Sequence, residues 1–259
     1  MIFLEILVAN NLTKTFKLTK KQQKINKTNE NLKVAVKNLS FSAYEGEIYG
    51  LLGPNGAGKT TTLRMISTLI KPDNGDVMVE GVSVVEKPHI VRSKIGFLTS
   101  ELKLEDFFTP NYLYDYFSKL HGVDEEVSKK RKEELFNKFE IEPFKEVKIG
   151  DLSTGMKQKV SLIISLVHDP KIVIFDEPTN GLDVITAKTV TDFLIELKKQ
   201  GKTIVLSTHI FSLVEKLCDR VGIIIDGKMI VSDTLENITK DKSLEEVFFD
   251  LYYRNGGLE

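Results

Sequence analysis

Cysteine is almost absent from this 259-residue chain, and tryptophan is absent altogether. The one cysteine, Cys218, excludes a framework of internal disulfides and is compatible with a reducing compartment. We expect it to be buried in a helix. No apolar stretch approaches the roughly 18 to 20 uninterrupted residues that a membrane-spanning helix requires. If the protein works at a membrane, another chain must supply the spanning part.

An excess of charge of either sign is also missing. The chain has 36 basic and 37 acidic residues, which gives a formal net charge of −1. Proteins that bind nucleic acid usually carry a basic surface, so this balance gives no reason to expect such a partner. With 41% hydrophobic and 28% charged residues, the chain reads as globular and is long enough to bury a sizeable core.

Strands of the buried type alternate with helices along much of the chain. Residues 47–52 form an apolar strand before a glycine-rich turn, and residues 59–69 have apolar positions at helical spacing. Two further strands, residues 171–176 and 202–207, flank a helical stretch at 191–199. This alternation predicts an α/β fold with a mostly parallel sheet.

Other segments depart from this alternation. The dipeptides Glu80-Gly81 and Asp226-Gly227 lie between β-branched runs and indicate hairpins, whose antiparallel strands would lie beside the parallel sheet. Residues 101–167 have only helical patterns and predict an inserted helical subdomain. The lysine-rich stretch from about residue 17 to 33 has almost nothing apolar to pack, which predicts a mobile loop.

The glycine-rich turn matches the phosphate-loop pattern G-x-x-x-x-G-K-[ST]. Its glycines let backbone N–H groups close on phosphate oxygens, and the N-terminus of the next helix adds a partial positive charge. We expect Lys59 to reach the β- and γ-phosphates of ATP and the hydroxyl of Thr60 to coordinate Mg²⁺. An incidental lysine in a glycine-rich turn is the alternative. The candidate nucleotide-binding residues are Gly53, Pro54, Asn55, Gly56, Ala57, Gly58, Lys59, Thr60 and Thr61.

An acidic pair, Asp176 and Glu177, ends the strand at residues 171–176. The carboxyl ends of strands line the ligand crevice in a doubly wound sheet. Asp176 is expected to hold the Mg²⁺ shell, through water, and Glu177 to orient and deprotonate the attacking water as a general base. A strand-ending acidic pair before the turn at Pro178 is the alternative if this motif is taken by itself.

Three further motifs make the sequence resemble the ATP-binding cassette (ABC) family. Leu152-Ser-Thr-Gly-Met156 looks like the family signature L-S-G-G-Q, and Asn180-Gly-Leu-Asp183 looks like the loop after the catalytic carboxylate. Ser207-Thr-His209 ends a strand as the family's switch histidine does. The resemblance implies a P-loop NTPase core with an antiparallel β subdomain and the inserted helices. The cassette would span residues 1–230, followed by a C-terminal helical extension at 231–259.

The resemblance also implies a second copy of the chain. Two cassettes would close head to tail over Mg-ATP, so that Ser153 and Gly155 of one face the phosphate loop of the other. Asp183 is carried over as a nucleotide-site residue. His209 is carried over as a γ-phosphate contact, and a structural histidine at a strand end is the alternative.

Two positions need separate comment: at one the residue type differs from the family pattern, and at the other the residue fits but a lysine-rich stretch follows it. Where the family has a glutamine near Mg²⁺, this chain has Ser100; serine is too short to reach the metal, so a water-mediated contact or one made by Glu101 stays open. Phe16 stands where the family stacks an aromatic residue on adenine, and a core phenylalanine is the alternative. The lysines that follow it fit a solvated loop or contact with anionic lipid headgroups.

Within the family, the amino-acid sequences of the phosphate loop and the signature look most like those of the bacterial sodium-export ATPase subunits. The drug-export subunits have similar sequences at these motifs. This implies an ATPase on the cytoplasmic face of the cell membrane that energises a separate integral membrane permease for export. Sodium is the expected cargo, and a drug or another small molecule comes next. The alternatives are a soluble ABC ATPase that acts on nucleic acid or ribosomes, and a regulatory cassette.

Overall fold

Strands and helices alternate through most of the structure, a computed structural model that describes residues 4–25, 29–99 and 104–255. The strands are β1 Glu5–Lys17, β2 Leu32–Tyr44, β3 Ile48–Leu52, β4 Asn74–Val79, β5 Val82–Ser83, β6 Ile95–Thr99, β7 Ile172–Asp176, β8 Thr203–Thr208, β9 Arg220–Ile225 and β10 Lys228–Thr234. The helices are α1 Lys20–Ile25, α2 Lys59–Ile66, α3 Pro88–Lys94, α4 Pro110–Leu120, α5 Glu125–Lys138, α6 Thr154–Ser165, α7 Val184–Lys199, α8 Phe211–Leu217, α9 Leu235–Ile238 and α10 Leu244–Arg254.

These described strands form two sheets. The larger has the order β10-β9-β3-β8-β7-β6 and is parallel except for β10, which pairs antiparallel with β9. The smaller has the order β2-β1-β4-β5 and is antiparallel. Both predicted hairpins are present, as β4–β5 and β9–β10. The architecture confirms the predicted fold class.

The central strands of the larger sheet are buried on both faces, which is why they read as unbroken apolar runs. In β7, Val173 and Phe175 face a core shared with the helical subdomain. Ile172 and Ile174 face a second core, shared with the smaller sheet and α2. Because the side-chain period of a strand is two, one five-residue strand joins both cores.

The segment between β6 and β7 is helical, as predicted, and has no strand within its described part, residues 104–167. Each of its three α-helices begins at a side-chain cap that satisfies free backbone N–H groups. Thr109 caps α4, Asp124 caps α5 and Ser153 caps α6. These helices pack on the sheet through the core that contains Val173 and Phe175.

Two segments contain structure that the sequence analysis did not predict. In the lysine-rich stretch, helix α1 forms and β1 and β2 extend into both ends; the mobility of this stretch stays a prediction. The C-terminal extension begins as a strand, because β10 continues to Thr234 before α9 and α10.

Cys218 is buried, as expected, but it lies directly after α8 and not within the helix. It packs against Gly50 of β3, where a Cβ atom would lie 2.7 Å from its Sγ. In the described ranges of the chain, no helix combines the length and apolar character needed to span a membrane.

Candidate active site

Three strands of the larger sheet end side by side at one edge. The register places Thr99 of β6 next to Asp176 of β7, and Asp176 next to Ser207 of β8. β3 runs parallel to β8 and ends at Leu52, so the glycine-rich turn leaves the same edge. This common edge brings together residues that lie far apart in the sequence.

The glycine-rich turn packs tightly against two neighbouring strands. A Cβ atom on Gly53 would lie 2.3 Å from the carbonyl oxygen of Ile224, and one on Gly58 would lie 2.5 Å from that of Ala35. Gly58 also has a φ of +106°, which disfavours any other residue. Glycine at these positions therefore lets the turn fit between β2 and β9.

Lys59 is the first residue of α2, and its ammonium group is folded into the turn. Its Nζ donates to the carbonyl oxygens of Gly53 at 2.7 Å and Pro54 at 3.2 Å, and lies 3.6 Å from Oε1 of Glu177. Burial lowers the pKa of Lys59, and the carboxylate of Glu177 opposes that shift. The result is a buried cation at the start of a helix, an arrangement suited to binding phosphate.

Asp176 accepts hydrogen bonds from two hydroxyl groups, one at the start of α2 and one near the end of β8. Thr60 Oγ1 donates to its Oδ1 at 3.0 Å, and Ser207 Oγ donates to the same oxygen at 2.5 Å. Asp176 is only 4% exposed. A carboxylate beside a hydroxyl supplies the hard oxygen ligands that Mg²⁺ prefers.

Glu177 has an unusual backbone and is held from three sides. Its φ of +53° lies in the left-handed region, which costs a residue with a side chain about 1–2 kcal/mol. Its backbone N–H donates to the carbonyl oxygen and Oγ of Ser207, at 3.1 and 3.2 Å. Its carboxylate oxygens lie 3.0 and 3.1 Å from Nδ1 of His209. The surrounding contacts thus fix a strained residue in one orientation.

A cleft of about 430 Å³ opens beside Lys59, Thr60 and Glu177. Phe16 lines it and is 40% exposed, whereas a fully buried core phenylalanine would be closed to solvent. The described residues along its walls are Phe16, Lys17, Leu18, Lys33, Ala35, Asn55, Gly56, Gly58, Lys59, Thr60, Thr61 and Glu177. The predicted adenine-stacking residue therefore shares one cleft with most of the predicted phosphate-loop residues. Gly53 and Pro54 do not line it, and Ala57 is buried.

Three predicted site residues lie outside this cleft and close to one another. Ser153 caps α6, whose second residue is Gly155. Asp183 caps α7 and accepts hydrogen bonds from both the backbone N–H and the hydroxyl of Thr186, which lower its pKa. A Cβ atom on Gly155 would lie 3.3 Å from Thr186 Oγ1 and 3.7 Å from Asp183 Oδ2. The starts of α6 and α7 thus form a second surface, which we call the signature surface.

A groove of about 550 Å³ lies between β6 and the helices of the inserted subdomain. Aromatic side chains follow one another along it: the ring centroids of Phe108 and Tyr112 are 4.5 Å apart, and those of Tyr112 and Tyr116 are 6.3 Å apart. Tyr112 and Tyr116 are about half exposed. We call this the aromatic groove; its wall is mostly apolar and open to solvent.

Two stacked histidines form part of this wall. The rings of His121 and His168 are parallel with centroids 4.0 Å apart. His168 Nε2 lies 3.0 Å from the carbonyl oxygen of Ile95, so it carries the proton and donates, and Nδ1 is buried without a partner. Burial, reinforced by His121, lowers the pKa of His168 to about 4. His168 is therefore neutral at neutral pH.

Ser207 belongs to the site, although no role was predicted for it. It contacts both acidic residues, but this can be seen only when the register between β7 and β8 is known. Ser100 and Glu101, the two candidates for the missing glutamine, lie outside the described residues. No group of three or more His, Cys, Asp or Glu that could enclose a metal occurs in residues 4–25, 29–99 and 104–255.

Known proteins with a similar sequence or fold are ATP-binding cassettes of ABC transporters. Residues 36–180 match the family model described as "ABC transporter". The chain is 39% identical over 214 residues to the ABC transporter ATP-binding protein NatA of Bacillus subtilis, covering 82% of this chain and 87% of that protein. It is 38% identical to the Nod factor export ATP-binding protein I of Burkholderia orbicola, covering 76% of this chain and 65% of that protein. The dimeric ATP-binding cassette MJ0796 with ADP and Pi superposes with a TM-score of 0.77 at 27% identity, covering 88% of this chain and 98% of that one.

Proposed function

The chain belongs to the ABC transporter family as an ATP-binding subunit, and we propose that it hydrolyses ATP between two copies of itself to drive export through a separate membrane permease. The observation that carries the proposal is the set of contacts at the ends of the parallel strands, where Glu177 lies beside both Lys59 and His209, and Asp176 lies beside Thr60. The family binds ATP, and each of these side chains has the chemistry that one step of its hydrolysis needs.

In the proposed reaction Glu177 is the general base. It takes a proton from a water molecule, whose oxygen attacks the γ-phosphorus while the bond from that phosphorus to the β-phosphate oxygen breaks. Lys59 neutralises the developing charge on the phosphates. His209 holds the carboxylate of Glu177 and contacts the γ-phosphate. The short distances from Glu177 to His209 and Ser207 support this assignment.

The oxygens near the phosphate loop fit Mg²⁺. Thr60 Oγ1 and Asp176 Oδ1 are 3.0 Å apart, and Mg²⁺ in nucleotide enzymes typically takes one or two protein oxygens, with phosphate oxygens and water completing the shell. We assign Thr60 to the metal directly and Asp176 through water. Mg²⁺ would neutralise charge on the phosphates. Ser100 is also proposed to contribute to the coordination shell of the metal.

A second copy of the chain would complete the site. Ser153, Gly155 and Asp183 do not line the cleft of their own chain, although the family places them on the nucleotide. Beside Asp183, the adjacent apolar side chains of Val184 and Ile185 are 86% and 79% exposed, and a partner that covers them would remove this apolar area from water. The relative MJ0796 is a dimer by its description. We therefore propose that the signature surface closes on the partner's cleft.

The aromatic groove is the proposed docking site for the membrane permease. It offers apolar rings at half exposure, and buried aromatic anchors dominate binding at many protein interfaces. Glu105 and Arg92 lie at its edge and could fix the orientation of a bound helix. Through this contact the chain would sit at the cytoplasmic face of the membrane. Two proposals remain for the lysines near α1: they are solvated, or they contact anionic lipid headgroups.

Export of sodium ion is the proposed cargo reaction, with a drug or another small molecule next. This proposal rests on the similarity of the phosphate-loop and signature sequences to those of sodium-export subunits. The Burkholderia relative is named as an export protein, which supports export as the direction of transport. Selectivity for cargo resides in the permease and not in the residues described here.

Co-purification tests the proposal. The chain is isolated from membranes of cells in which its neighbouring genes are intact, and the ATPase activity of the retained complex is measured. A membrane subunit that accompanies the chain and stimulates hydrolysis is the expected result. An ATPase that carries nucleic acid or ribosomes and no membrane subunit would keep the chemistry and contradict the transport role. A chain that binds ATP without hydrolysing it would indicate a regulatory cassette.

A further inference from the structure

We infer that Lys33 is a second cationic contact for the bound nucleotide and binds the phosphate nearest the ribose. The inference rests on the proposed function, because it assumes that ATP occupies the cleft. Lys33 belongs to no motif of the sequence analysis. It lies at the start of β2, in the lysine-rich stretch that the proposed reaction does not use.

The position of Lys33 follows from strand pairing. Lys33 pairs with Phe16 across β1 and β2, and paired residues of antiparallel strands project from the same face. Ala35, two residues further along β2, projects from that face as well. All three line the cleft. Lys33 therefore stands between the proposed base-stacking residue and the phosphate loop.

The distance to the phosphate loop suits a lysine. The carbonyl oxygen of Ala35 packs against Gly58, where an added Cβ atom would lie only 2.5 Å away. Two residues of strand separate Lys33 from that contact by about 6.6 Å. The four-carbon stem of lysine spans such a distance and carries a compact charge at its end. The ammonium group can thus reach the section of the cleft between Phe16 and Gly58.

Lys33 is also free to make this contact. Lys14, on the same sheet, is engaged by Asp73 at 2.7 Å. Lys33 has no ion pair with any residue in the described ranges, and its side chain is exposed. A lysine at the wall of a phosphate-binding cleft that breaks no ion pair with a described residue can bind a phosphate oxygen, and such charge-assisted bonds are among the stronger hydrogen bonds.

The test measures the affinities of ADP and ATP by titration calorimetry for the full chain and three variants. Lys33→Gln should raise Kd about 5- to 10-fold for both nucleotides, because both contain the phosphate nearest the ribose. Lys33→Arg should restore most of the affinity. Lys24→Gln is the matched control, since Lys24 is an exposed lysine of α1 that does not line the cleft, and it should change Kd less than about 2-fold.

Salt gives an independent readout. The difference between wild type and Lys33→Gln should shrink at high ionic strength, because salt screens a solvent-exposed contact. An unchanged Kd in Lys33→Gln at low salt, or an equal loss in Lys33→Arg, would overturn the assignment to Lys33 while leaving the ATPase proposal intact. A wild-type chain that binds neither nucleotide would contradict the proposed function itself.

Discussion

Nδ1 of His209 lies 3.0 Å from Oε1 of Glu177, across the ends of two neighbouring parallel strands. The contact joins the residue after β8 to the residue after β7. Glu177 has a positive φ, so its side chain leaves the strand in a direction that a regular β residue would not take. His209 and the buried ammonium group of Lys59 lie beside the carboxylate and orient it over the cleft.

Glu177→Gln should bind ATP and fail to hydrolyse it. Glutamine keeps the shape and can still approach His209, but it cannot accept a proton from water. The turnover number should fall at least about 100-fold, which is the low end of the contribution of a general base. ATPase assays and size-exclusion chromatography with ATP would measure this, with a trapped dimer expected. Brisk residual hydrolysis would show that another group activates the water.

Ser207→Ala should lower activity through the two acidic residues. Asp176 Oδ1 would lose its donor at 2.5 Å, and the backbone N–H of Glu177 would keep only one acceptor. We expect turnover to fall about 10-fold and the Mg²⁺ concentration for half-maximal activity to rise, because the carboxylate of Asp176 is less firmly held.

Ser207→Thr provides the control, because it keeps the hydroxyl group at the same position. It should retain most of the activity if the extra methyl group fits. Equal Mg²⁺ dependence in Ser207→Ala and wild type would count against a positioning role. A lower melting temperature with unchanged kinetics would indicate that Ser207 contributes to stability alone.

Most of the candidate site could be predicted from the sequence, because each of its motifs is a short contiguous segment. The phosphate loop, the acidic pair and His209 each follow an apolar strand, and β3, β7 and β8 read as strands because both faces are buried. Ser207 received no role, since its contacts depend on the register between two strands that are about 30 residues apart along the chain.

Helix α1 was missed for a different reason. Its six residues, Lys20–Ile25, have no apolar face, so hydrophobic periodicity gives no signal. The segment is closed instead by a bond from Leu18 N to Asn31 O at 2.9 Å and by bonds from the side chain of Gln23 to Glu30 and Asn31. Such contacts join Leu18 and Gln23 to residues 30 and 31 and follow no periodic pattern that could be recognised beforehand.

Acid should destabilise the protein through His168. Its pKa falls from 6.5 to about 4 on folding, so the unfolded chain binds its proton first as the pH is lowered. The contribution to stability is full above pH 6.5 and is lost as the pH falls toward 4, by on the order of 2–3 kcal/mol. Urea unfolding at about pH 7.5 and about pH 5 would measure it.

The groups around His168 define the control. It faces the ring of His121, the carbonyl oxygen of Ile95, and the ion pair of Arg131 with Asp169. His168→Gln should show a smaller loss of stability between the two pH values than wild type. His89→Gln, at an exposed histidine, should behave like wild type. Identical pH dependence in His168→Gln and wild type would contradict the assignment.

Tyr116→Asp should release the membrane permease and leave the isolated ATPase active. Tyr116 is 51% exposed in the aromatic groove, so a charge there disturbs docking more than folding. We expect at least about 10-fold less permease in pull-downs from membranes. Tyr253→Asp, at a tyrosine 62% exposed on α10, serves as the matched control. Equal retention of the permease by both variants would place docking elsewhere.

Because the signature surface lies apart from the cleft, a chain with a mutation in one can complement a chain with a mutation in the other. In the proposed dimer each ATP takes its phosphate loop from one chain and Ser153 from the other. A Lys59→Ala chain and a Ser153→Arg chain would each be inactive alone, yet mixing them would rebuild one intact site in every hybrid pair. Random mixing at equal amounts makes half of all pairs hybrids, and each hybrid has one of its two sites intact. If the two sites hydrolyse ATP independently, activity should therefore return to about a quarter of the wild-type level. Recovery below that level would measure how strongly one site depends on the other.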